Sequence, residues 1–133
     1  GLSVWREIHR RLPEESLLYL GDGKNCPYGG RSREEITAFA REAVERLIGE
    51  GVKMVVVGCN TATTAAVDAL RAEWPDIPIV GLEPAVKPAC LSSRTRRIAV
   101  LATAHSLQSD MFLNTARRYA ADVEVIKVET ARD

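Results

Sequence analysis

The sequence predicts an α/β fold: a parallel sheet with helices packed on its faces. Three observations predict it. Short apolar runs rich in β-branched residues alternate with segments of helical periodicity along the whole length. One of these runs, residues 52–57 (VKMVVV), is β-branched and nearly all apolar, which suits a strand covered on both faces, as parallel strands are. The breaks between segments carry Gly, Pro and capping residues where an alternating chain needs turns.

Taken in order, Trp5, Ile8 and Leu12 recur at helical spacing, with Ser3 as the expected N-cap and Pro13 as the stop. Residues 16–20 (SLLYL) read as a buried strand closed by Gly21, and a polar loop, DGKNCPYGGR, follows. Ser32 and Glu35 have the spacing of a capping box. Behind them Ile36, Phe39, Ala40, Ala43, Val44, Leu47 and Ile48 form one apolar stripe, and Gly49 and Gly51 close the helix. After the strand at 52–57, Gly58 to Thr61 make a turn and a helix is expected over 61–74, broken by Pro75 and Pro78. Residues 79–82 and 97–102 read as strands. Residues 106–120 read as one helix with Leu107, Met111, Phe112 and Ala116 inward, and residues 123–128 as a last strand. The Pro-rich stretch Glu83–Pro88 suits a crossover, dividing the chain into a first α/β unit, 1–82, and the start of a second, 83–133.

Bulk composition narrows the function. The chain has 133 residues, enough for a buried core, with 46% hydrophobic and 27% charged residues. Eighteen basic residues balance 18 acidic ones, so the electrostatic footprint of a nucleic-acid binder is lacking. No run approaches the roughly 18 apolar residues of a membrane span, and nothing at the start reads as a signal peptide. The chain opens on Gly rather than Met, so further residues are expected before it. Cys26, Cys59 and Cys90 are odd in number and widely spaced, which argues against a disulfide framework or a metal site and for a reducing, cytoplasmic setting.

In a parallel sheet, ligands bind beyond the carboxyl ends of the strands. Cys59 stands there, where a strand passes into a helix whose N-terminal N–H groups favour a thiolate. A small buried hydrophobe is the plain alternative, but Asn60 and Thr61 beside it are poor core material. Ala65 excludes a C-x5-R phosphatase loop, and Val57 and Thr61 exclude a G-x-C-x-G nucleophile turn. His9 and His105 are the available imidazoles, and both read as bystanders, as do Cys26 in its loop and Cys90 in packing. Arg31 and the group Arg94, Arg96 and Arg97 read as solvated charges. A thiolate acting as a base survives this screen.

The residues then resemble a family. Gly58-Cys59-Asn60-Thr61-Ala62 is similar to the first cysteine motif of the glutamate racemases, and Pro27-Tyr28-Gly29 to their P-Y-G motif, with Asp22 at the acidic position upstream. Gly1-Leu2-Ser3-Val4 resembles the second half of the family's D-S-G-x-G-G-L-S opening. The stretch from Leu82 to Ala89 resembles its crossover segment, and Val100-Leu101-Ala102-Thr103-x-x-Ser106 its V-L-A-T-x-x-T stretch. The resemblance implies two similar α/β domains and interconversion of L- and D-glutamate for peptidoglycan, with no cofactor and no metal. It implies two cysteines on opposite faces of the α-carbon, with Cys59 acting on D-glutamate. It further implies that Asn60 and Thr61 bind the amino and carboxylate groups, that Pro27, Tyr28 and Gly29 line the site, and that Thr103 and Ser106 hold a carboxylate. Turn chemistry for Pro27–Gly29 and helix capping for Thr103 and Ser106 remain open beside those roles.

The family's opening Asp-Ser and its second cysteine, in a C-T-H motif, are not among these residues, so the chain alone is expected to be inactive. A homodimer is left open. The competing readings are an aspartate or hydantoin racemase of the same superfamily, and a non-catalytic relative that binds an amino acid or a protein partner.

Overall fold

The computed structural model describes residues 1–130. Its elements run α1 (Leu2–Arg11), α2 (Arg33–Gly49), β1 (Val55–Val57), α3 (Asn60–Glu73), β2 (Ile79–Gly81), α4 (Val86–Ser92), β3 (Arg97–Thr103), α5 (Ala104–Gln108), α6 (Asp110–Tyr119) and β4 (Glu124–Thr130). The expected alternation is present, and every strand pairing is parallel. The strands form two separate two-stranded sheets, β1 with β2 and β3 with β4, rather than one continuous sheet.

Each sheet has its own apolar core. Val55, Ile79, Ala66, Val67 and Leu70 pack with Ala40 and Val44 of α2 beneath the first sheet. Val86, Cys90, Val100, Ala102, Leu107, Phe112 and Val123 pack beneath the second. Fully burying a side chain of this size stabilises a fold by about 1.5–3 kcal/mol, so these clusters dominate the energetics. The helix α2 forms as its sequence predicts. Ser32 Oγ accepts from Glu35 N, the Glu35 carboxylate accepts from Ser32 N, and Ile36, Ala40 and Val44 are buried along one stripe. Gly51, at φ +80°, takes the left-handed conformation that ends it.

Several elements differ from expectation. The first helix begins at Leu2 with Gly1 in the cap position, so Ser3 lies inside the first turn and caps nothing. Residues 16–20 belong to no sheet, and Leu18 and Tyr19 are exposed. An apolar run becomes a strand only when a neighbour completes its hydrogen bonds, and among the described residues no strand pairs with it. Just before it, Glu15 pairs with Lys53 at 2.6 Å on the surface. The strand expected over 52–57 is confined to Val55–Val57, and only one of its faces is covered: Val55 is buried while Val56 is 37% exposed.

The helix expected over 106–120 is two helices. Ser109 interrupts it in extended conformation, its Oγ accepting from Phe112 N and donating to the Ser106 carbonyl. A serine hydroxyl competes with the helical backbone for such bonds, which is why it breaks a pattern whose apolar periodicity is continuous. Phe112 and Leu107 face the second core as expected, whereas Met111 reaches the first. Arg94, Arg96 and Arg97 are exposed, as expected of solvated charges. Arg97 pairs with Glu124 at 2.5 Å along the β3–β4 ladder, and Arg96 with Asp122.

Candidate functional site

Cys59 is the residue that turns β1 into α3. It occupies the N-cap position, in extended conformation at φ −137° and ψ 122°, and its Sγ accepts the Ala62 N–H at 3.4 Å. The Thr63 N–H closes the first turn on the Cys59 carbonyl at 2.9 Å. The side chain is half-buried, so the dry apolar interior of the plain alternative does not describe it. A sulfur in the cap position, accepting a backbone N–H at the positive end of a 14-residue helix, is in surroundings that favour its thiolate. Asn60, next along, is exposed.

Gly1 reaches this corner at ordinary van der Waals distance. A Cβ on Gly58 would stand 3.4 Å from Gly1 Cα, which brings the start of α1 against the residue preceding the thiol.

The P-Y-G loop lies against the same corner. Tyr28 is 7% exposed and packs with Ile36, Ala62 and Ala65, a cluster that Cys59, Val57 and Phe39 flank. Its hydroxyl donates to Asp22 Oδ2 at 2.5 Å. Asp22 also accepts from Asn25 N at 3.2 Å and from Asn25 Nδ2 at 3.0 Å. Arg31 donates to the Asn25 carbonyl at 2.8 Å and lies 5.0 Å over the Phe39 ring, so it is a brace for the loop and not a solvated charge. Burial, then the hydrogen bond to Asp22 and the charge of Asp22, then charge on Cys26 and Cys59, push the Tyr28 hydroxyl well above its ordinary 10.0. Tyr28 is therefore a neutral donor beside the thiol. Gly29 is half-buried, and Pro27 and Cys26 are exposed at the loop's tip.

Thr61, Thr103 and Ser106 are brought together, but facing one another. Thr61 Oγ1 and Thr103 Oγ1 are 2.9 Å apart, and Thr103 Oγ1 donates to Ser106 Oγ at 3.2 Å. All three side chains are buried. Thr103 is the N-cap of α5, accepting from Ser106 N. These contacts make Thr103 a cap, whereas Ser106 lies inside α5 and supplies the capped N–H. His105 is half-buried, and His9 is exposed and stacked on Trp5 at 5.5 Å between ring centroids. Cys90 is buried in the second core.

Sequence reasoning missed Asn25 and Arg31 as braces of the loop. Asp and Asn in a Gly-containing loop are the usual makers of side-chain-stabilised turns, and D-G-K-N carried that signal. Arg31 has a local partner in Glu35 at 3.6 Å, but its contacts with the Asn25 carbonyl and the Phe39 ring come from the fold. Among the described residues no three His, Cys, Asp or Glu side chains gather as a metal site, and no helix is long and apolar enough to cross a membrane.

A cysteine that caps α3 at the end of β1, with a pinned P-Y-G loop packed nearby, agrees with what family comparison finds. The family model for Asp/Glu/hydantoin racemases matches residues 1–133. The chain belongs to that family. More particularly, it is 50% identical over 126 residues to the glutamate racemase of Stutzerimonas stutzeri, covering 95% of this chain and 48% of that protein. The solved glutamate racemase isoform RacE1 of Bacillus anthracis is 38% identical with a TM-score of 0.82, over 96% of this chain and 48% of that one. The Escherichia coli glutamate racemase, solved in complex with L-glutamate and the activator UDP-MurNAc-Ala, is 31% identical with a TM-score of 0.90, over 98% of this chain and 49% of that one. The chain thus spans about half the length of the relatives it matches.

Proposed function

We propose that these residues supply one of the two proton-transfer sulfurs of a glutamate racemase, which interconverts L- and D-glutamate in the cytoplasm to provide D-glutamate for peptidoglycan. The observation that carries this reading is the capping position of Cys59, half-buried with its sulfur accepting a helix N–H. Family membership and the names of the relatives support glutamate as the substrate.

Inverting a carbon centre through a planar carbanion needs a base on one face and an acid on the other. Cys59, as thiolate, takes the α-proton of D-glutamate. A second thiol, outside residues 1–133, returns a proton on the opposite face. The carbanion forms without an electron sink, so preorganised donors must offset its charge. The first turn of α3, with the N–H groups of Asn60 and Thr61, is suited to the substrate's carboxylate, and the exposed Asn60 amide to its polar groups. The backbone of Pro27, Tyr28 and Gly29 forms the rim on the other side. In this reading the first α/β unit is residues 1–82 and the second begins at 83, a division supported by the separate cores of the two sheets. Residues 1–133 alone hold one sulfur of the pair and are inactive.

The test is exchange. The full-length protein is incubated with D-glutamate in heavy water, and the α-proton signal is followed by NMR. Deuterium should enter the α-carbon in the parent and not in Cys59→Ser. Retention of the α-proton by the parent, or unchanged racemisation by Cys59→Ser, defeats the proposal. The variant should keep its fold to within about 0.5 kcal/mol, since serine accepts the same N–H in a half-buried position.

A further inference from the structure

One residue ties off the tip of the P-Y-G loop from both sides. Arg31 Nε donates to the Asn25 carbonyl at 2.8 Å, and the Arg31 backbone N–H donates to the Tyr28 carbonyl at 3.0 Å. Residues 26–30 lie between these two bonds, with Cys26, Pro27 and Gly30 exposed. The guanidinium is itself held by α2. Its carbon lies 5.0 Å over the Phe39 ring, and its Nη1 stands 3.6 Å from Glu35 Oε1. Phe39 in turn packs against Tyr28, with ring centroids 6.0 Å apart. A planar cation stacked on a helix while it bonds a loop carbonyl fixes that carbonyl relative to the helix. Tyr28 anchors the loop from below, through its buried ring and its bond to Asp22. Those contacts hold a side chain, whereas Arg31 holds the main chain at both ends of the tip. The tip has no regular secondary structure, so its main-chain groups depend on such bonds for their placement.

We propose that Arg31 is a positioning residue for substrate binding, its guanidinium clamping the main chain of Pro27, Tyr28 and Gly29 in the form that receives glutamate beside Cys59. This rests on the reading of the P-Y-G rim given above. Arg31 acts on the substrate through the loop and not by contact. An unclamped tip must be ordered at the moment of binding, and that ordering costs affinity. Ground state and transition state lose it alike, so the loss falls on KM rather than on kcat.

The experiment uses the full-length protein with Arg31→Met, which keeps an apolar stem over Phe39 and removes the donors and the charge, and Arg31→Lys, which keeps a cation able to reach the same carbonyl. Hydrogen–deuterium exchange of the peptide spanning residues 24–32 is followed by mass spectrometry in the absence of substrate. Exchange should quicken about tenfold in Arg31→Met and return to within about threefold of the parent in Arg31→Lys. In racemisation, KM for glutamate should rise about tenfold in Arg31→Met with kcat changed less than about twofold, and Arg31→Lys should bring KM to within about threefold of the parent. Unchanged exchange in Arg31→Met overturns the proposal, as does an unchanged KM or a loss confined to kcat. A lowered unfolding free energy with the parent's exchange and KM also overturns it, since Arg31 would then support α2 alone. Should Arg31→Met fail to fold, Arg31→Gln, which removes the charge and keeps a polar end, gives the same readouts. Quickened exchange in a protein whose parent never racemises leaves the clamp standing and defeats the racemase reading. Racemisation with the parent's KM and exchange in every variant does the reverse.

Discussion

Tyr28 donates its hydroxyl to Asp22 at 2.5 Å, across six residues of a loop that carries no regular secondary structure. That contact, with Asn25 on the same carboxylate and Arg31 on the Asn25 carbonyl, gives an irregular segment a definite shape beside Cys59. Its pH dependence follows. Burial works against the Asp22 carboxylate, but the hydrogen bonds from Tyr28 and Asn25 outweigh it and leave its pKa below 3.8. A carboxylate lowered in this way stabilises the fold fully above its unfolded value and loses that contribution as pH falls below it. Tyr28, raised above 10.0, contributes fully below that value and loses its contribution as pH climbs toward the folded-state value. Tyr28→Phe should therefore cost about 1–2 kcal/mol across a plateau from about pH 5 to pH 9. The difference from the parent should narrow near about pH 3, where protonation of Asp22 weakens the same bond in the parent. Urea unfolding of the full-length protein over a pH series checks it, and a difference that grows in acid contradicts it.

Gly81 and Thr63 make a second test. A Cβ at position 81 would stand 2.5 Å from Thr63 Cγ2, and Thr63 Oγ1 accepts the Leu82 N–H at 3.0 Å. Gly81→Ala must push Thr63 aside and strain that bond. The expected cost is about 1–3 kcal/mol, as for overpacking elsewhere. Thr63→Ser removes the offending methyl and keeps the hydroxyl, so the double variant should recover more than half of the loss. Additive losses in urea unfolding would show that the contact is not the cause.

Ser32 supports α2 through its cap. Ser32→Ala removes the acceptor for Glu35 N and should cost about 1 kcal/mol, whereas Ser32→Gly should cost only a few tenths. Chemical denaturation midpoints at constant m-value decide between them.

Phe112 is 1% exposed in the second core, and Lys127 Nζ lies 5.3 Å from its ring centroid. Phe112→Ala should cost about 3–5 kcal/mol, while Phe112→Leu should cost less than half as much. Equal losses in thermal or urea unfolding would mean that the site collapses around either side chain.

The parts legible in the sequence are those decided by neighbours a few residues away. Ser32 and Glu35 sit at the spacing that lets each bond the other's backbone, and the stripe from Ile36 to Val44 repeats with the helical turn. Cys59 was legible as the junction of a β-branched run and a helix, although its role as the cap itself appeared only with the backbone traced. Residues 16–20 misled because an apolar run states a preference for burial without naming the strand that would complete it. Ser109 misled because a single hydroxyl outweighed a continuous apolar pattern.

The amino-acid sequence by itself determined the alternation of helix and parallel strand, the capped stripe of α2, and a cysteine at the head of α3, because each depends on periodicity or on contacts within one turn. Only the tertiary structure decided that Thr61 meets Thr103, 42 residues away, that Arg31 lies over Phe39, and that the P-Y-G loop is pinned by Asp22 beside the thiol. Those contacts join segments whose own preferences are silent about each other. They form because burial of the two cores brings polar groups together out of water, where each must find a partner.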